Sequence, residues 1–473
     1  MSAFERDRPT RRLPIIGFLL LIVAIGFVGG AYYLAPRFER SSPQIKLPDS
    51  DVLGLAPVEI AIGDAGAGLK SVAATLSVGG SEHTLISEQY AQPVSEKKFS
   101  FALSSKLAGL KEGPAVLRVS ARDASLWNFF RGNETVIQKN LTIDLTPPTV
   151  ELIADDRYVN FGGVGAIVYK ASADTAASGV RIGDYFFPGF KGQIKDQPDY
   201  FVALFAHPYN VPANVKAVLV ATDKAGNSRQ LPLVYELKNV KYKKSTIPVS
   251  ESFFQNKVAP LLQDSAARQG APKDVFVAVN KKLRAENESR IVAITSKATP
   301  SILWKGAFSQ LSNSKVEANF ADQRTYVYNG QPIDTAYHLG YDLSVTKHYP
   351  VEAANSGTAV FVGDLGIYGN TVILDHGLGL FTLYGHLSSM DVKVADTVKA
   401  RQIIGRTGET GLAAGDHLHY GVYLDGVAVL PVEWWDPKWI EDNISPKLSG
   451  RSSEAVAESQ RSARPRKAAT RRR

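Results

Sequence analysis

One long hydrophobic run stands out in the N-terminal part of the chain: Leu13 to Pro36 (LPIIGFLLLIVAIGFVGGAYYLAP) contains no charged residue. As a helix this run would measure about 36 Å, against about 30 Å for the hydrocarbon core of a bilayer. Tyr32 and Tyr33 near its end suit the membrane interface, where aromatic rings with a polar group are favoured. The pattern therefore predicts a transmembrane helix over residues 13–36.

The residues before this run predict its orientation. Residues 1–12 carry four arginines against two acidic residues, and basic flanks stay on the cytoplasmic side. We therefore expect a cytoplasmic N-terminus at 1–12 and an uncleaved, single-pass signal anchor in the cytoplasmic (inner) membrane. The bulk of the chain would then lie in the periplasm or cell-wall space. The alternative is a cleaved signal peptide, whose apolar core is shorter (about 7–15 residues) and ends at a cleavage site of small residues.

Beyond a short polar linker at 37–50, short β-branched runs broken by Gly, Asp, Asn and Pro predict two β-sandwich modules, 51–145 and 146–240. Pro114–Asp123 and Ala217–Asp223 are both strand patterns that end in an aspartate turn. The segments DLTPP (from Asp144) and DKAGN (from Asp223) resemble those of bacterial immunoglobulin-like modules. Such modules would serve as a spacer and can bind cell-wall proteins. Their aspartates either cap turns or bind calcium between modules.

The sequence pattern changes after residue 240, and residues 241–320 predict a small mixed α/β connector. Asp274 is a candidate N-cap for a helix that carries Phe276, Val279 and Leu283 at helical spacing. After a predicted C-terminal domain at 321–440, residues 441–473 lack periodic hydrophobic positions and predict a disordered basic tail.

Composition and charge narrow the function classes. The length, 473 residues, allows about three folded units. The absence of cysteine excludes disulfides, thiolate metal sites, a cysteine nucleophile and a lipoprotein anchor. The net charge of +8 consists of +2 in residues 1–12 and +6 in residues 451–473. The body between them is neutral, so the sequence predicts no nucleic-acid partner.

The histidines carry the candidate chemistry. Six of the eight fall within residues 338–419, and imidazole is a common zinc ligand. His338 and Asp342 are four residues apart, and His417-Leu-His419 opens a strand pattern that places both imidazoles on one side, with Leu418, Tyr420 and Val422 toward the core. Two histidines and one carboxylate leave a zinc position open for water, and the histidines beyond those that a three-ligand zinc needs are candidates for acid–base work.

Each histidine also has a simpler interpretation. A single His-x-His pair on a strand is often surface decoration. His348 has no partner pattern and is expected to be structural or exposed, and His376 lies in a turn signal (LDHG). The combination of HxxxD, HxH and a further isolated histidine is what favours a metal site.

With these motifs in place, residues of about 320–437 resemble the lysostaphin/LytM-type zinc endopeptidase domain. The matching stretches are HLGYDL (338–343), PVEAANSGTAVFVG (350–363), GNTVILDHGLGLFTLYGHLS (369–388), GRTGETGLAAGDHLHYGVYLDG (405–426) and the closing LPVEWWD (430–436). Asp416 departs from the family pattern, which usually has a small residue or proline there. The fold class expected for the whole chain is therefore mainly β: a transmembrane helix, two Ig-like sandwiches, the mixed connector and a LytM-type antiparallel sheet domain.

The resemblance also implies roles. His338, Asp342 and His419 would bind one Zn²⁺, His417 would act as general base, and His386 would hold or protonate the tetrahedral intermediate. The substrate would be the peptide stems of peptidoglycan. Three tryptophans either line the substrate groove or pack against the end of the sandwich, and the packing role is favoured: Trp434, Trp435 and Trp439.

The functional hypothesis is a membrane-anchored zinc endopeptidase that cuts peptide cross-links of the bacterial cell wall. The main alternative is a non-catalytic scaffold of the same fold that activates a cell-wall amidase. The complete set of five polar site residues favours the enzyme. An adhesin built on the Ig-like modules would leave the histidines unexplained, and occlusion of the groove by residues 241–320 is a further alternative.

Overall fold

In a computed structural model of the chain, residues 13–34, 38–103 and 110–449 are described. The predicted cytoplasmic segment 1–12 and residues 450–473 of the predicted basic tail lie outside them. The chain divides into two compact units rather than three: unit 1 comprises Met1–Pro147 and Thr222–Asn227, and unit 2 comprises Pro148–Ala221 and Ser228–Arg473.

The hydrophobic run near the N-terminus is helical over Leu13–Leu34, a length of 22 residues, and we name this helix α1. Among the residues whose side chains the structure describes, no helix is both long enough and apolar enough to cross a membrane. The membrane span over 13–36 therefore stays a prediction from the sequence.

Unit 1 is built from two antiparallel sheets with alternating buried and exposed positions. Its strands are β1 (Gln44–Lys46), β2 (Val52–Leu53), β3 (Val58–Gly63), β4 (Leu69–Val78), β5 (Ser81–Val94), β6 (Glu96–Phe101), β7 (Gly113–Asp123) and β8 (Glu134–Ile143). One sheet has the order β1-β3-β6, and the other has β2-β8-β7-β4-β5, in which β2 joins β8 in parallel. The inward residues, such as Ile60, Leu76 and Leu117, are fully buried and form the core between the sheets. Since β1 belongs to a sheet, the stretch 37–50 is not merely a linker, because Ile45 pairs with Ile62 of β3.

The aspartates of unit 1 act as turn caps. Asp64 accepts a hydrogen bond from the backbone N–H of Gly68, and Asp123 accepts those of Ser125 and Asn133. Aspartate side chains commonly replace a backbone acceptor in this way, which is the turn role expected from the sequence.

The first part of unit 2 contains two four-stranded sheets and a parallel pair. The strands are β9 (Val150–Ala154), β10 (Tyr158–Asn160), β11 (Val164–Ala171), β12 (Thr175–Ile182), β13 (Tyr185–Pro188), β14 (Phe190–Lys191), β15 (Tyr200–Ala206), β16 (Ala217–Asp223), β17 (Ser228–Pro232) and β18 (Glu236–Lys238). The sheet orders are β14-β15-β11-β9 and β13-β12-β16-β17, with β10 beside β18. Whether either module belongs to the Ig-like class stays a prediction.

The second part of unit 2 has a wide antiparallel sheet at its centre. The strands are β19 (Lys244–Pro248), β20 (Lys315–Ala318), β21 (Gln323–Tyr328), β22 (Gln331–Tyr337), β23 (Tyr341–Ser344), β24 (Pro350–Glu352), β25 (Gly357–Asp364), β26 (Asn370–Gly377), β27 (Leu380–Gly385), β28 (Ser389–Met390), β29 (Thr397–Val398), β30 (Ile403–Arg406), β31 (Leu418–Leu424) and β32 (Val427–Val429). The main sheet runs β20-β23-β31-β27-β26-β25-β29, with β32 beside β31, so the domain begins before the predicted residue 321. The described chain is thus mainly β, as the sequence predicts.

The predicted connector 241–320 is not a separate element. Its strand β19 pairs in parallel with β21, which makes it the third strand of the β21–β22 hairpin. Its helical segments are Glu251–Phe253, Phe254–Val258, Ala259–Leu261, Ala267–Gln269, Pro272–Val277, Ala278–Leu283 and Arg284–Thr295. The N-cap of the helix at 272–295 is Ala271, and Asp274 lies in the first turn, so the predicted N-cap is wrong. Phe276 and Val279 are completely buried.

The chain end of unit 2 is helical rather than disordered over residues 441–449. The short helices are Pro431–Trp435, Pro437–Trp439, Ile440–Ile444 and Ser445–Leu448. Ile440, Ile444 and Lys447 are buried, and the Lys447 ammonium forms an ion pair with Asp156. The tail predicted from 441 is therefore wrong for these residues, because their apolar side chains pack against the core.

Candidate metal centre

Strand pairing in the main sheet brings the predicted ligands together. β23 and β31 are antiparallel, and their register places Asp342 directly opposite His419. Gly340 permits this approach, because a Cβ there would lie 2.7 Å from His419 Nε2 and 2.6 Å from the Tyr420 carbonyl oxygen. The residues of β31 are buried on both faces, not on one, because the sheet is covered on both sides.

Three ligand atoms converge at this point. His338 Nε2 lies 2.9 Å from Asp342 Oδ1 and 3.1 Å from His419 Nδ1, and His419 Nδ1 lies 3.0 Å from Asp342 Oδ1. A tetrahedral zinc with bonds of about 2.0–2.1 Å would hold its ligand atoms about 3.3 Å apart. Among the described residues, the same three form a group able to hold a metal ion.

The hydrogen bonds around the group fit a cation. His338 Nδ1 lies 2.9 Å from the Asn319 carbonyl oxygen. A carbonyl only accepts, so Nδ1 carries the proton and Nε2 presents a lone pair to the group. Two imidazole nitrogens and a carboxylate oxygen facing one another are a donor set that suits Zn²⁺.

Arg324, which the sequence analysis missed, supports the carboxylate. Its Nη2 donates to Asp342 Oδ2 at 3.0 Å, so Oδ1 remains for the ligand group. Burial opposes ionisation of Asp342, but His338 and the other two histidines hold its pKa well below the usual range. The carboxylate is therefore ionised, as a ligand must be.

His417 and His386 flank the ligand group. In each ring Nδ1 donates to a backbone carbonyl at 2.8 Å, that of Gly415 for His417 and that of Thr410 for His386. Both rings therefore present Nε2 to the cleft, and His417 Nε2 lies 3.5 Å from Asp342 Oδ1. The two ring centroids are 4.8 Å apart.

The two flanking imidazoles differ in basicity. Burial first, and then the neighbouring His417 and His419, lower the pKa of His386 well below its ordinary value. Burial also opposes the charged form of His417, but the neighbouring Asp342 carboxylate favours that form more strongly and raises the pKa. Burial lowers the pKa of His419 to about 4, which keeps it a neutral ligand.

The five residues line a cleft of about 570 Å³. One wall comes from the predicted connector, including Val249, Phe253 and Lys257. Lys257 Nζ donates to the Glu409 carbonyl oxygen at 2.7 Å, which links this wall to the loop before His417. No motif in the connector indicated this placement, because it arises from the long-range pairing of β19.

The other histidines take structural positions. His376 lies at the end of β26 rather than in a turn, with Nε2 2.7 Å from Thr382 Oγ1, and burial lowers its pKa to about 4. The His348 side chain is exposed, as expected from its lack of a partner pattern. Asp416 does not join the ligand group: it accepts hydrogen bonds from Thr407 Oγ1 and from the His348 backbone N–H.

The C-terminal tryptophans pack rather than line the cleft. Trp434 is completely buried, with an edge-to-face contact to Trp304, and Trp439 lies 5.5 Å from it, centroid to centroid. Trp435 contacts Tyr341 and Tyr420. This is the packing role favoured for aromatic side chains of this size.

Comparison with known proteins identifies the domain. Residues 336–431 match the model of peptidase family M23, so the chain carries an M23 peptidase domain and the LytM-type resemblance is confirmed. The chain is 39% identical over 95 residues to the DD-carboxypeptidase/endopeptidase Mpg of Neisseria meningitidis, which covers 20% of this chain and 22% of that protein.

Two further similarities are to a second curated protein and to a solved structure. The peptidoglycan DD-endopeptidase ShyA of Vibrio cholerae is 32% identical over 115 residues, or 24% of this chain and 26% of that protein. The catalytic domain of lysostaphin from Staphylococcus simulans is 31% identical, covering 28% of this chain and 98% of that chain with a TM-score of 0.24. The chain thus spans about a quarter or less of the length of these two curated relatives.

Proposed function

We propose that the protein is a membrane-anchored, zinc-dependent endopeptidase that hydrolyses peptide cross-links of peptidoglycan during cell-wall remodelling. The observation that carries this proposal is the convergence of His338, Asp342 and His419 in the cleft of an M23 domain, with two further imidazoles beside them. Relatives named as endopeptidases, including one that acts on peptidoglycan, support the reaction and the substrate class.

The proposed roles of the two flanking histidines follow from which ring nitrogen carries the proton, and backbone carbonyl groups determine this. Bound Zn²⁺ would supply Lewis acidity to the scissile carbonyl and to a water molecule. His417, with Nδ1 held by the Gly415 carbonyl, presents an unprotonated Nε2 that can accept a proton. His386 is held in the same way by Thr410, so it can donate to an oxyanion only after it has gained a proton on Nε2.

The reaction is tested with the full chain in detergent and purified peptidoglycan. We expect chelation to abolish the release of muropeptides and zinc to restore it, and mass analysis of the products fixes the bond cut. His417→Ala should retain zinc and lose turnover, whereas His348→Ala, at an exposed histidine outside the ligand group, should change neither. Inactive wild-type protein with a full complement of zinc would contradict the proposal.

The same preparation distinguishes the proposed enzyme from the alternative, a non-catalytic scaffold. If the wild-type chain releases no muropeptide but stimulates a cell-wall amidase, the scaffold replaces the enzyme. The complete ligand group and the two imidazoles beside it favour the enzyme, because a scaffold has no need of them.

The membrane anchor is part of the proposal. The charge-free run and its helix α1 support a single span in the cytoplasmic membrane, with the basic flank inside and the chain that follows the span outside. Because the chain has no cysteine, single cysteines at Ser2 and Ser81 can be labelled in intact spheroplasts. A membrane-impermeant maleimide should label S81C alone, and labelling of S2C alone would reverse the topology.

A further inference from the structure

Unit 1 exposes an aromatic loop. Between β7 and β8, the segment Trp127–Phe130 leaves Phe129 92% and Phe130 70% exposed, and Trp127 37%. Large aromatic side chains displayed together on a surface are unusual in water and indicate an interaction site.

The backbone of this loop is strained in the same place. Asn128, Phe129 and Phe130 have φ values of 55°, 54° and 65°, the left-handed region that non-glycine residues avoid. This conformation is sterically unfavourable for residues that carry a Cβ. Strain of this kind persists where the surroundings enforce it, and it often marks functional segments.

The surroundings do enforce this conformation. The buried Asp123 accepts the backbone N–H groups of Ser125 and Asn133, one on each side of the loop. Gly132, with φ +79°, is required next to it, because a Cβ there would lie 2.7 Å from Asp123 Oδ1. These contacts therefore fix the conformation of the loop, in which the aromatic side chains lie at the surface.

The same loop is fastened to the chain that leaves α1. The Glu39 carbonyl accepts hydrogen bonds from Ser125 Oγ at 2.9 Å and Asn133 Nδ2 at 3.2 Å, and Arg40 stacks on the Trp127 ring at 4.3 Å. Glu39 follows Leu34, the last residue of α1, by five positions, a span of at most about 18 Å. The covalent tether alone thus places this end of unit 1 close to the end of the proposed membrane helix.

We propose that the loop Trp127–Arg131 inserts into the interfacial layer of the bilayer in which α1 is anchored. Phe129 and Phe130 would enter the boundary of the acyl chains, Trp127 would lie at the headgroups, and Arg40 and Arg131 would meet lipid phosphates. The loop would act as a second attachment that fixes the orientation of unit 1 on the membrane. The proposal rests on the membrane anchoring proposed above.

The absence of cysteine allows a direct test with the full chain in vesicles of phosphatidylcholine and phosphatidylglycerol. A single cysteine replaces Phe129 and carries a polarity-sensitive fluorophore. The matched control is Ser81→Cys, at the start of β5, since the ten residues of β4 place it about 30 Å from the Asp123 end of the sheet. We expect a blue-shifted emission and loss of fluorescence to nitroxide-labelled lipids at position 129, with neither change at position 81.

The possible outcomes test the loop proposal and the anchor proposal separately. A chain that floats with the vesicles but is not quenched by lipid nitroxides at position 129, whatever its emission wavelength, overturns the loop proposal and leaves the anchor intact. A partner protein or a second copy on the loop belongs to this outcome, because neither would bring lipid nitroxides to the label. A chain that does not float with the vesicles overturns the anchor and the loop proposal together.

Discussion

Arg324 is the residue whose position most directly affects the ligand group. It neutralises the outer oxygen of Asp342 while the inner oxygen faces the two imidazoles. Such outer contacts orient a metal ligand, and their loss typically lowers metal affinity or activity 10–100-fold. Arg324 therefore qualifies as a positioning residue for Asp342.

We expect Arg324→Gln to weaken zinc binding by about 10–100-fold while activity recovers substantially at saturating zinc. Competition with a chromophoric chelator measures the affinity, and muropeptide release measures the activity. Arg401→Gln is the matched control, since Arg401 is exposed and pairs with Glu352. Unchanged affinity in R324Q would remove the positioning role.

Asp425 predicts a pH dependence of stability away from the metal centre. It lies in the Asp-Gly turn between β31 and β32, its Oδ2 is buried without a hydrogen-bond partner among the described residues, and burial and Asp375 raise its pKa to about 8. The folded state therefore keeps a proton that the unfolded state releases near pH 4, so the stability contributed by the protonated form is lost as pH rises from about 4 to 8.

Asp425→Asn should remove this loss. Asparagine tolerates the φ of 45° at this position and cannot ionise. One pKa unit corresponds to about 1.4 kcal/mol, so we expect stabilisation of about 1–3 kcal/mol at pH 8, allowing for the partial exposure of Asp425, and little at pH 4. Urea denaturation at the two pH values measures it, with the exposed Asp391→Asn as control. An equal effect at both pH values would show that the charge is not responsible.

The elements that carry the ligands could be predicted from the sequence, whereas the wall opposite them could not. HxxxD and HxH are local patterns, and the family resemblance places them in one site, whereas the β23–β31 register that joins them is seen only in the structure. Lys257 and Arg324 reach the cleft only because β19 pairs with β21, across more than seventy residues of chain. No periodicity within either segment encodes that pairing.

The predictions that failed share a physical cause. The predicted disordered tail includes residues 441–449 because many basic residues follow them. Yet Ile440, Ile444 and Leu448 repeat at helical spacing. The basic composition of the whole segment therefore predicts disorder, although its first residues carry a short apolar pattern that is typical of a helix. Likewise, β1 was not evident within the polar stretch 37–50, since three residues are too few to show a strand period.

The link between the connector wall and the loop before His417 gives a prediction for that wall. Lys257→Ala removes the hydrogen bond to the Glu409 carbonyl. We expect faster hydrogen exchange at amides of residues 407–416, unchanged zinc affinity, and lower turnover because His417 is less well fixed. Lys393→Ala, on the exposed surface, is the control. Higher turnover would instead show that the connector occludes the groove, the alternative weighed from the sequence.

In unit 2, the module at 148–240 and the peptidase domain share one continuous core rather than forming separate bodies. Polar contacts cross this junction as well. The buried Glu433 accepts the backbone N–H of Val164 and the side chain of Asn160, and burial raises the pKa of Glu433 to about 8. The module therefore contributes to the folding of the catalytic domain, beyond the spacer role expected from the sequence.

The buried Lys447–Asp156 pair allows this shared folding to be tested. Both side chains are more than nine-tenths buried, and burial raises the pKa of Asp156 despite the ammonium beside it. Removing one partner of a buried pair leaves an unpaired group and costs about 3–5 kcal/mol, whereas replacing both with apolar or neutral groups costs far less. We therefore expect Lys447→Met to destabilise unit 2 strongly and the double variant with Asp156→Asn to recover most of the loss.

Urea denaturation followed by hydrogen exchange at the amides of β11 and by zinc release measures these variants, since the first signal reports on the module and the second on the metal centre. Because the module and the peptidase domain share a core, both signals should shift together in K447M, as one cooperative transition. Lys438→Met is the matched control: Lys438 is 79% exposed and pairs with Asp442, so its loss should leave the unfolding midpoint almost unchanged. If zinc release kept its wild-type midpoint in K447M while the exchange of the β11 amides shifted, the peptidase domain would fold independently of the module.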